Sequence, residues 1–149
     1  MQAKHLGHVA IRCSDLERSL AFYAKLGLHE AFRLERPDGG GVSLVYLRID
    51  ETSFLELFPN GTEPPAGGPR QLGYAHCCLL VDDIQTAYRD CVAQGVPTNG
   101  EPKLGRDGNW QFWITDPDGT RLEVMQIMPD SLQARSARQA QSVEATGAR

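Results

Sequence analysis

Apolar and polar residues follow the same pattern in two stretches of the chain. Residues 8–28 and 76–96 align without a gap at an offset of 68 residues (76 − 8), and both stretches begin with a histidine. Each stretch contains an apolar run and then apolar residues at the spacing of one helical face, which predicts a strand followed by a helix. The repeat indicates an internal duplication, and we expect the duplication to set the fold.

The first strand, predicted over Leu6–Cys13, alternates between two kinds of side chain. His8, Ala10 and Arg12 share one face of this strand. The other face, which we expect to pack under the helix, carries Val9, Ile11 and Cys13. The alternation is typical of a strand that buries only one of its sides.

Capping patterns predict where each helix begins and ends. Ser14 and Glu17 have the spacing of a capping box in the first copy, and Asp82 and Gln85 have it in the second. The glycines that predict the helix ends are Gly27 and Gly95. The helical positions expected to be buried are Leu16, Leu20, Tyr23 and Ala24 in the first helix and Ile84, Ala87, Tyr88, Cys91 and Val92 in the second.

Three strands are expected after each helix, so that both copies have the order βαβββ. In the first copy these strands are predicted at Ala31–Leu34, Val42–Ile49 and Ser53–Phe58. In the second copy the sequence locates two of the three strands, at Trp110–Thr115 and Thr120–Met128, with a turn at Asp116–Gly119 between them. A loop is predicted before them, at Asn99–Asn109.

We therefore predict an α+β fold of two paired βαβββ modules in a single domain, residues 1–129. Module one spans residues 5–58, a linker spans 59–73, module two spans 74–128, and 130–149 form a polar tail. The linker contains four prolines and four glycines and has no periodicity. The tail is alanine-rich, and we expect it to form a loose surface helix or to stay disordered.

The composition excludes several classes of function. With 23% charged residues and a formal charge of −4, the chain lacks the basic stripe of a nucleic-acid-binding protein. No apolar run is long enough for a signal peptide or a membrane span, so we expect a cytoplasmic protein with no membrane partner. The four cysteines lack zinc-type spacing, and we interpret them as buried, reduced thiols: Cys13, Cys77, Cys78 and Cys91.

Two glutamates lie in strands that are otherwise largely apolar. Glu56 lies within Phe54–Phe58, and Glu123 lies in the closing strand of module two. An unpaired charge buried at either position would be very unfavourable. The distance along the chain from the first histidine of the module to the glutamate is nearly the same in both copies, 48 residues (56 − 8) from His8 and 47 residues (123 − 76) from His76.

If a pseudo-twofold axis relates the modules, these two histidines and two glutamates converge. Such a set suits a divalent transition ion, whose charge offsets the two carboxylates, in a cleft formed by both modules. The alternative interpretation is that hydrogen bonds or arginines satisfy each side chain locally. His5 and His29 have no counterpart in the other module, and we expect both at the surface.

The segments SDLERSLAFY, after His8, and DPDGTRLEVMQ, at the end of module two, resemble those of the vicinal oxygen chelate superfamily. This is the glyoxalase, bleomycin-resistance and extradiol-dioxygenase group, which is built from paired βαβββ modules. The resemblance covers Leu6–Met128. Within the superfamily, the order of His8, Glu56, His76 and Glu123 is similar to the metal-ligand set of bacterial glyoxalase I.

The resemblance implies an enzyme like lactoylglutathione lyase, which converts the hemithioacetal of a 2-oxoaldehyde and glutathione into a 2-hydroxyacyl thioester by proton transfer. The implied cofactor is one divalent ion per site, nickel or cobalt, with zinc, iron and manganese as alternatives. Glu123 would act as the base. Glu56 would act as an ion ligand and a second proton carrier.

The resemblance also implies residues that bind the substrate. Arg12 matches a family arginine that binds a glutathione carboxylate, and Asn60 matches an asparagine that binds the glutathione backbone. The alternative interpretations are a surface salt bridge for Arg12 and an Asn-Gly turn for Asn60. Lys103, Arg106 and Trp110 are further candidates, although the basic residues of this loop depart from the family's register.

Other functions stay open at this point. An acyl-CoA epimerase would use the same proton abstraction, whereas an extradiol dioxygenase would use iron(II) on two histidines and one carboxylate. A non-catalytic resistance protein would stack an aromatic drug on Trp110, Phe112 and Trp113. Because the modules have open sheet edges and the linker is long, we also expect a homodimer with two sites at or near the subunit interface.

Overall fold

The computed structural model describes residues 3–63 and 72–147, with side chains described as far as residue 142. The first half of the chain forms β1 (His8–Arg12), α1 (Leu16–Lys25), β2 (Glu30–Glu35), β3 (Val42–Arg48) and β4 (Phe54–Phe58). The second half forms β5 (Cys77–Leu80), α2 (Ile84–Ala93), β6 (Lys103–Leu104), β7 (Trp110–Thr115) and β8 (Arg121–Gln126), and α3 (Leu132–Gly147) follows. The predicted α+β fold with the order βαβββ in each half is confirmed.

Each half forms its own four-stranded mixed sheet. The strand order is β1-β4-β3-β2 in the first sheet and β5-β8-β7-β6 in the second. β1 pairs with β4 in parallel, and β5 pairs with β8 in parallel. A parallel pair needs a crossover connection, which here contains a helix and two further strands. The first and last strands of each module therefore lie side by side.

The described residues divide into two compact units. The first unit contains Met1–Ala75 and the segment Thr115–Thr120, and the second contains His76–Ile114 and Arg121–Arg149. The turn between β7 and β8 is thus grouped with module one rather than with the strands that it joins. Of the predicted linker at 59–73, residues 64–71 lie outside the described part of the chain.

The first sheet buries one of its faces. Val45 pairs with Leu57 and Leu47 pairs with Leu55, and each of these side chains is at most 2% exposed. Ile11 of β1 is 8% exposed, as its place in the alternation predicted. Burying a side chain of this size contributes about 1.5–3 kcal/mol, so each of these residues stabilises the first unit appreciably. The opposite face carries His8, Arg12 and Glu56 together with aromatic side chains.

The helix starts differ by one residue from the prediction. The N-cap of α1 is Asp15 rather than Ser14, and the N-cap of α2 is Asp83 rather than Asp82. Asp15 accepts a hydrogen bond from the backbone N–H of Arg18. Ser14 lies one residue before the cap, and its hydroxyl donates to Asp118 of the turn 115–120. The predicted helix ends are confirmed, since Gly27 and Gly95 follow the helices with φ of +78° and +67°.

The buried faces of the helices are narrower than predicted. In α1 the buried residues are Ser19, Phe22 and Tyr23, while Leu16 and Leu20 are half-buried and Ala24 is exposed. In α2 only Ile84 and Cys91 are buried; Ala87 and Tyr88 are half-buried, and Val92 is 53% exposed. Apolar periodicity could not place Ser19 in the buried face because serine is polar, although its small side chain fits there.

Two aspartates of the turn 115–120 accept hydrogen bonds from α1 and its N-terminal end. Asp116 accepts from the Tyr23 hydroxyl at 2.9 Å and from the Thr120 backbone N–H at 2.7 Å. Asp118 accepts from the backbone N–H of Ser14 at 3.0 Å, from the Ser14 hydroxyl at 2.5 Å and from the Arg18 guanidinium at 2.6 Å. The first unit thus depends on residues that come late in the sequence.

Polar contacts anchor the C-terminal tail of the second unit. The predicted loop at Asn99–Asn109 contains β6 and ends at Asn109, which is fully buried. The Asn109 side-chain amide donates to Asp107 and to Gln133 of α3, and its carbonyl oxygen accepts from the backbone N–H of Met128. The tail therefore forms a helix, which was one of the two outcomes expected for it.

The four cysteines are free thiols, but they are not all buried. Cys13 and Cys91 are buried, Cys77 is half-buried and Cys78 is exposed, so the expectation of burial was wrong for Cys78. Cys78 is exposed because it lies in β5, a short strand at the edge of the second sheet, on the strand face that is open to solvent. Over residues 3–63 and 72–147, the chain has no helix that combines the length and apolar character needed to cross a bilayer.

We expect Asp118→Asn to destabilise the protein by roughly 1–3 kcal/mol at pH 7, the range for hydrogen bonds to a charged group. Burial alone would raise the pKa of Asp118, but the hydrogen bonds from Ser14 and the charge of Arg18 lower it overall. The pKa of Asp118 is lower in the folded protein than in the unfolded chain, where it is about 3.9. The carboxylate therefore stabilises the protein fully above that pH, and the stabilisation is lost as the pH falls through the pKa of the folded state.

Urea unfolding from pH 7 down to pH 2 measures this effect, with Asp130→Asn at an exposed position as the control. The free-energy gap between wild type and Asp118→Asn should close below about pH 4, while the control shows no comparable gap. A gap that is constant over the whole pH range would contradict the role assigned to Asp118.

Candidate active site

The first candidate pair is His8 with Glu56. In the parallel ladder of β1 and β4, Ala10 lies opposite Glu56, and His8 is two residues earlier on the same face. The distance from His8 Nδ1 to Glu56 Oε1 is 3.7 Å. Glu56 is only 5% exposed, whereas the His8 side chain is 55% exposed. The pair therefore joins a buried carboxylate to an imidazole that solvent or a ligand can reach.

The second candidate pair, His76 with Glu123, is built in the same way. Cys78 lies opposite Glu123 in the parallel ladder of β5 and β8, and His76 again comes two residues earlier. His76 Nε2 lies 3.2 Å from Glu123 Oε2, and Glu123 is 9% exposed. The duplication thus repeats the strand register as well as the residue types.

Burial makes both carboxylates unfavourable without further compensation. The ion-pair partner of each is a histidine, rather than an arginine or lysine that always carries a charge. Within residues 3–63 and 72–147, no three His, Cys, Asp or Glu side chains form a group able to hold an ion. The structure therefore shows one His–Glu pair in each unit, with an imidazole nitrogen and carboxylate oxygens suited to a divalent transition ion.

Aromatic residues surround the first pair. Tyr46 of β3 lies directly opposite Glu56, and Phe54 lies directly opposite His8. A hydrogen bond to Glu56, with burial and the negative charge of that carboxylate, raises the pKa of Tyr46. Phe32 stacks on Tyr46 with ring centres 4.3 Å apart. The sequence analysis missed Tyr46, although counting residues outward from the Asp50–Thr52 turn would have placed it opposite Glu56.

The second pair has different neighbours. Trp113 packs edge-on against His76 with ring centres 4.7 Å apart, and the Arg121 guanidinium lies 4.4 Å from the centre of the Trp113 ring. The Asp116 N–H donates to the Thr120 carbonyl, and counting back from this bond places Trp113 opposite Glu123. Cys78 is exposed as a residue, but desolvation of its thiol by the surrounding groups, followed by the negative charge of Glu123, raises the pKa of that thiol to about 12.

The structure places Arg12 and Asn60 in one open pocket of about 440 Å³ in the first unit. Arg12 shares the strand face of His8, as predicted, and its guanidinium lies 5.4 Å from the centre of the Phe58 ring. Asn60 follows β4 with φ of +66°, the left-handed conformation that asparagine tolerates in turns. Arg36 and Ser43 line the same pocket, and neither was singled out from the sequence.

The loop candidates lie in the second unit. Lys103 of β6 pairs with Gln111 and lines a smaller pocket of about 250 Å³ together with Trp113. Trp110 begins β7 and pairs with Leu104, and Arg106 lies exposed in the adjacent turn; neither of them lines this pocket. Of the three loop candidates, only Lys103 therefore lines a described pocket. His5 and His29 are both exposed, as expected.

Comparison with known proteins gives one family. The family model of the Glyoxalase/Bleomycin resistance protein/Dioxygenase superfamily matches residues 5–124. A lactoylglutathione lyase from Schizosaccharomyces pombe is 33% identical over 133 residues, which is 80% of this chain but only 44% of that relative. The mitochondrial methylmalonyl-CoA epimerase from Homo sapiens is 34% identical over 129 residues, covering 81% of this chain and 73% of the epimerase.

A solved structure supports the same conclusion about the fold. The crystal structure of SMU.1112c superposes with a TM-score of 0.74 at 25% sequence identity, covering 83% of this chain and 99% of the other. The family match covers most of the sequence, from before β1 into β8. The chain therefore belongs to the Glyoxalase/Bleomycin resistance protein/Dioxygenase superfamily.

Proposed function

We propose that this protein is a metal-dependent lyase of the glyoxalase I type. Its reaction would convert the hemithioacetal of a 2-oxoaldehyde and glutathione into a 2-hydroxyacyl thioester by moving one proton between adjacent carbons. The observation that carries the proposal is the duplicated pair of a buried glutamate and an accessible histidine, His8 with Glu56 and His76 with Glu123. The relatives named lactoylglutathione lyase and epimerase support a reaction of this kind.

We propose that both pairs contribute ligands to one divalent ion. The donor set of two imidazole nitrogens and two carboxylate oxygens suits nickel or cobalt, with zinc, iron and manganese as alternatives. When bound, the ion would make the carbon next to a substrate carbonyl more acidic by stabilising the negative charge that develops on oxygen. It would also compensate the charge of Glu56 and Glu123, which are both more than nine-tenths buried.

In this proposal the carboxylate of Glu123 moves the proton. It accepts the proton from the carbon that carries sulfur and returns it to the neighbouring carbon, so that the atoms of the substrate are rearranged without loss. Glu56 acts as an ion ligand and as a second proton carrier. Burial of both carboxylates at 5% and 9% exposure keeps bulk water away from the proton while it is transferred.

Arg12 and Asn60 are proposed to bind the thiol-bearing part of the substrate. The Arg12 guanidinium stacks against Phe58, and no carboxylate among the described residues forms an ion pair with it. A guanidinium can bind a carboxylate through two parallel hydrogen bonds, and the pocket it shares with Asn60 has room for a peptide arm. Lys103, Arg106 and Trp110 are weaker candidates because only Lys103 lines a pocket.

A second candidate function is epimerisation of a 2-carboxyl acyl-CoA. This chain spans 73% of the human methylmalonyl-CoA epimerase, compared with 44% of the yeast lyase. The chemistry is closely related, because proton abstraction next to a carbonyl is common to both reactions. Formation of thioester from methylglyoxal and glutathione, and deuterium uptake by methylmalonyl-CoA in heavy water, should be assayed in parallel on the same nickel- or cobalt-loaded preparation.

Each outcome of this paired assay has a definite meaning. Thioester formation without deuterium uptake supports the lyase, and the reverse result favours the epimerase. If neither reaction occurs in a metal-loaded preparation, the extradiol dioxygenase and the non-catalytic drug-binding protein become the leading interpretations, and binding of aromatic ligands near Trp110 and Trp113 can then be measured by tryptophan fluorescence.

We expect His76→Ala to remove most of the bound ion, because it deletes one of the four donors. Binding of nickel and cobalt by calorimetry, together with metal analysis of the purified protein, measures this loss. The control is His29→Ala, which removes an exposed histidine outside both pairs and should leave ion binding unchanged. If His76→Ala retains wild-type affinity and stoichiometry, the four-ligand proposal is wrong.

Glu123→Gln should lower kcat far more than it lowers the affinity for the ion. Glutamine still offers an oxygen donor, but it cannot accept a proton at neutral pH, and general-base contributions are typically about 10²–10⁴-fold. In Glu56→Gln, the loss in ion affinity should be larger than the loss in kcat. The measurement is kcat and nickel affinity for both variants. If Glu123→Gln loses both quantities equally, Glu123 acts only as an ion ligand.

We also propose that the protein is a homodimer and that ligands from two chains complete each site. Light scattering of the intact protein measures the mass. Co-refolding an inactive His8→Ala chain with an inactive Glu123→Gln chain should then restore about a quarter to a half of the activity, since some shared sites receive no variant residue. A monomeric mass, or no activity from a verified heterodimer, would contradict sharing between chains.

A further inference from the structure

Arg121, the first residue of β8, differs from several other arginines of this chain in having no acidic partner. The Arg18 guanidinium lies 2.6 Å from Asp118, and the Arg33 guanidinium lies 2.5 Å from Glu30. Among the described residues, no carboxylate lies within ion-pair distance of Arg121. Its positive charge is therefore available to a ligand.

Arg121 lies directly beside the second His–Glu pair. Its guanidinium is 4.4 Å from the centre of the Trp113 ring, and the same ring packs edge-on against His76. The parallel ladder of β5 and β8, extended back by one residue, sets His76 level with Arg121. Glu123 comes two residues after Arg121, which is about 6.6 Å along a strand and on the same strand face. A small acid bound by Arg121 would thus lie next to the Glu123 carboxylate.

The indole of Trp113 holds the guanidinium without using its hydrogen-bond donors. A cation over an aromatic face is attracted by the negative charge of that face. In such a stack the N–H groups at the edge of the planar guanidinium stay free. They can bind a carboxylate through two parallel hydrogen bonds, so Arg121 is both held in place and able to bind an anion.

Module one has a different residue at the equivalent position. Phe54 stands there, two residues before the glutamate of its module. A guanidinium also packs on this ring, since Arg48 lies 5.3 Å from the ring centre, but Arg48 belongs to β3, and β4 separates β3 from the strand of His8. Arg121, by contrast, is in the same strand as the glutamate of its pair. The duplication therefore placed a cation next to one pair and an apolar ring next to the other.

We propose that Arg121 binds a carboxylate on the acyl part of the substrate, close to the carbon from which Glu123 takes the proton. This proposal rests on the proposed function for the role of Glu123, and it adds a substrate class, namely acids. Two sources fit this chemistry: a 2-carboxyl acyl thioester, and the glutathione adduct of a 2-oxoaldehyde that itself carries a carboxylate. The fixed positive charge would also stabilise negative charge that develops near it when the proton leaves.

The first measurement needs neither activity nor an ion. In metal-free protein at about pH 8, where histidines are neutral, NMR follows the indole N–H of Trp113 during titration with malonate or with uncharged malonamide. Malonate should shift this resonance saturably, and malonamide should not. Arg121→Gln should weaken malonate binding by roughly 10–100-fold, the loss expected for hydrogen bonds to a charged group.

Two further variants make this titration specific. Arg121→Lys keeps the charge but loses the paired donors, so its malonate affinity should lie between those of wild type and Arg121→Gln. Arg89→Gln is the matched control, because Arg89 is an exposed arginine of α2 that donates to Thr86 of the same helix. Its malonate affinity should equal that of wild type.

The second measurement compares kcat/KM of metal-loaded protein for substrates that differ only in the charge of the carboxylate. One comparison uses methylmalonyl-CoA and its methyl ester. The other uses the glutathione adducts of a carboxylate-bearing 2-oxoaldehyde and of its methyl ester. Arg121→Gln should lower kcat/KM for the acid by roughly 10–100-fold and leave the ester unchanged, and the comparison that shows this effect identifies the source of the carboxylate.

The outcomes separate this proposal from the proposed function. The proposal is overturned if malonate gives no saturable shift, or if Arg121→Gln binds malonate as well as wild type does. An equal effect of Arg121→Gln on acid and ester also overturns it, because a residue that merely supports Trp113 would act on both. If metal-loaded wild type turns over none of these substrates, the proposed function fails, and the malonate titration still decides whether Arg121 binds a carboxylate.

Discussion

The site depends on one constraint: each module buries a carboxylate in its last strand, which pairs in parallel with its first strand. Glu56 and Glu123 interrupt strands whose other residues supply the cores of their units. Such a charge persists only where something nearby compensates it, and in both modules the residue beside the carboxylate is a histidine at or just before the first strand. The crossover connection, which contains a helix, lets the first and last strands of each module pair in parallel. This pairing brings each histidine close to its glutamate.

The two halves of the chain share a backbone plan but not an environment. Across the ladder, one carboxylate faces a phenol and the other faces an indole, and on the parallel side one faces an alanine and the other a cysteine. A duplication starts with two equal positions. The residues opposite the two carboxylates now differ, so the two positions are no longer equivalent.

The element order βαβββ follows from local periodicity, and the nearly equal spacings in the duplication led us to expect each histidine beside its glutamate. The features it misses depend on residues distant in the sequence. The helix starts at Asp15, and Ser14, which the spacing predicted as the cap, donates instead to Asp118, 104 residues further along. Likewise, the tail contains few apolar residues, so periodicity could not show that Asn109 fastens it through Gln133.

The placement of the turn 115–120 with the first unit means that the chain passes between the units three times, after residues 75, 114 and 120. Neither unit is therefore a continuous piece of polypeptide. A fragment that stops at residue 75 lacks both aspartates that Tyr23 and Ser14 bind. During synthesis, the first module can complete these contacts only after residues 116 and 118, and with them most of the second module, have left the ribosome.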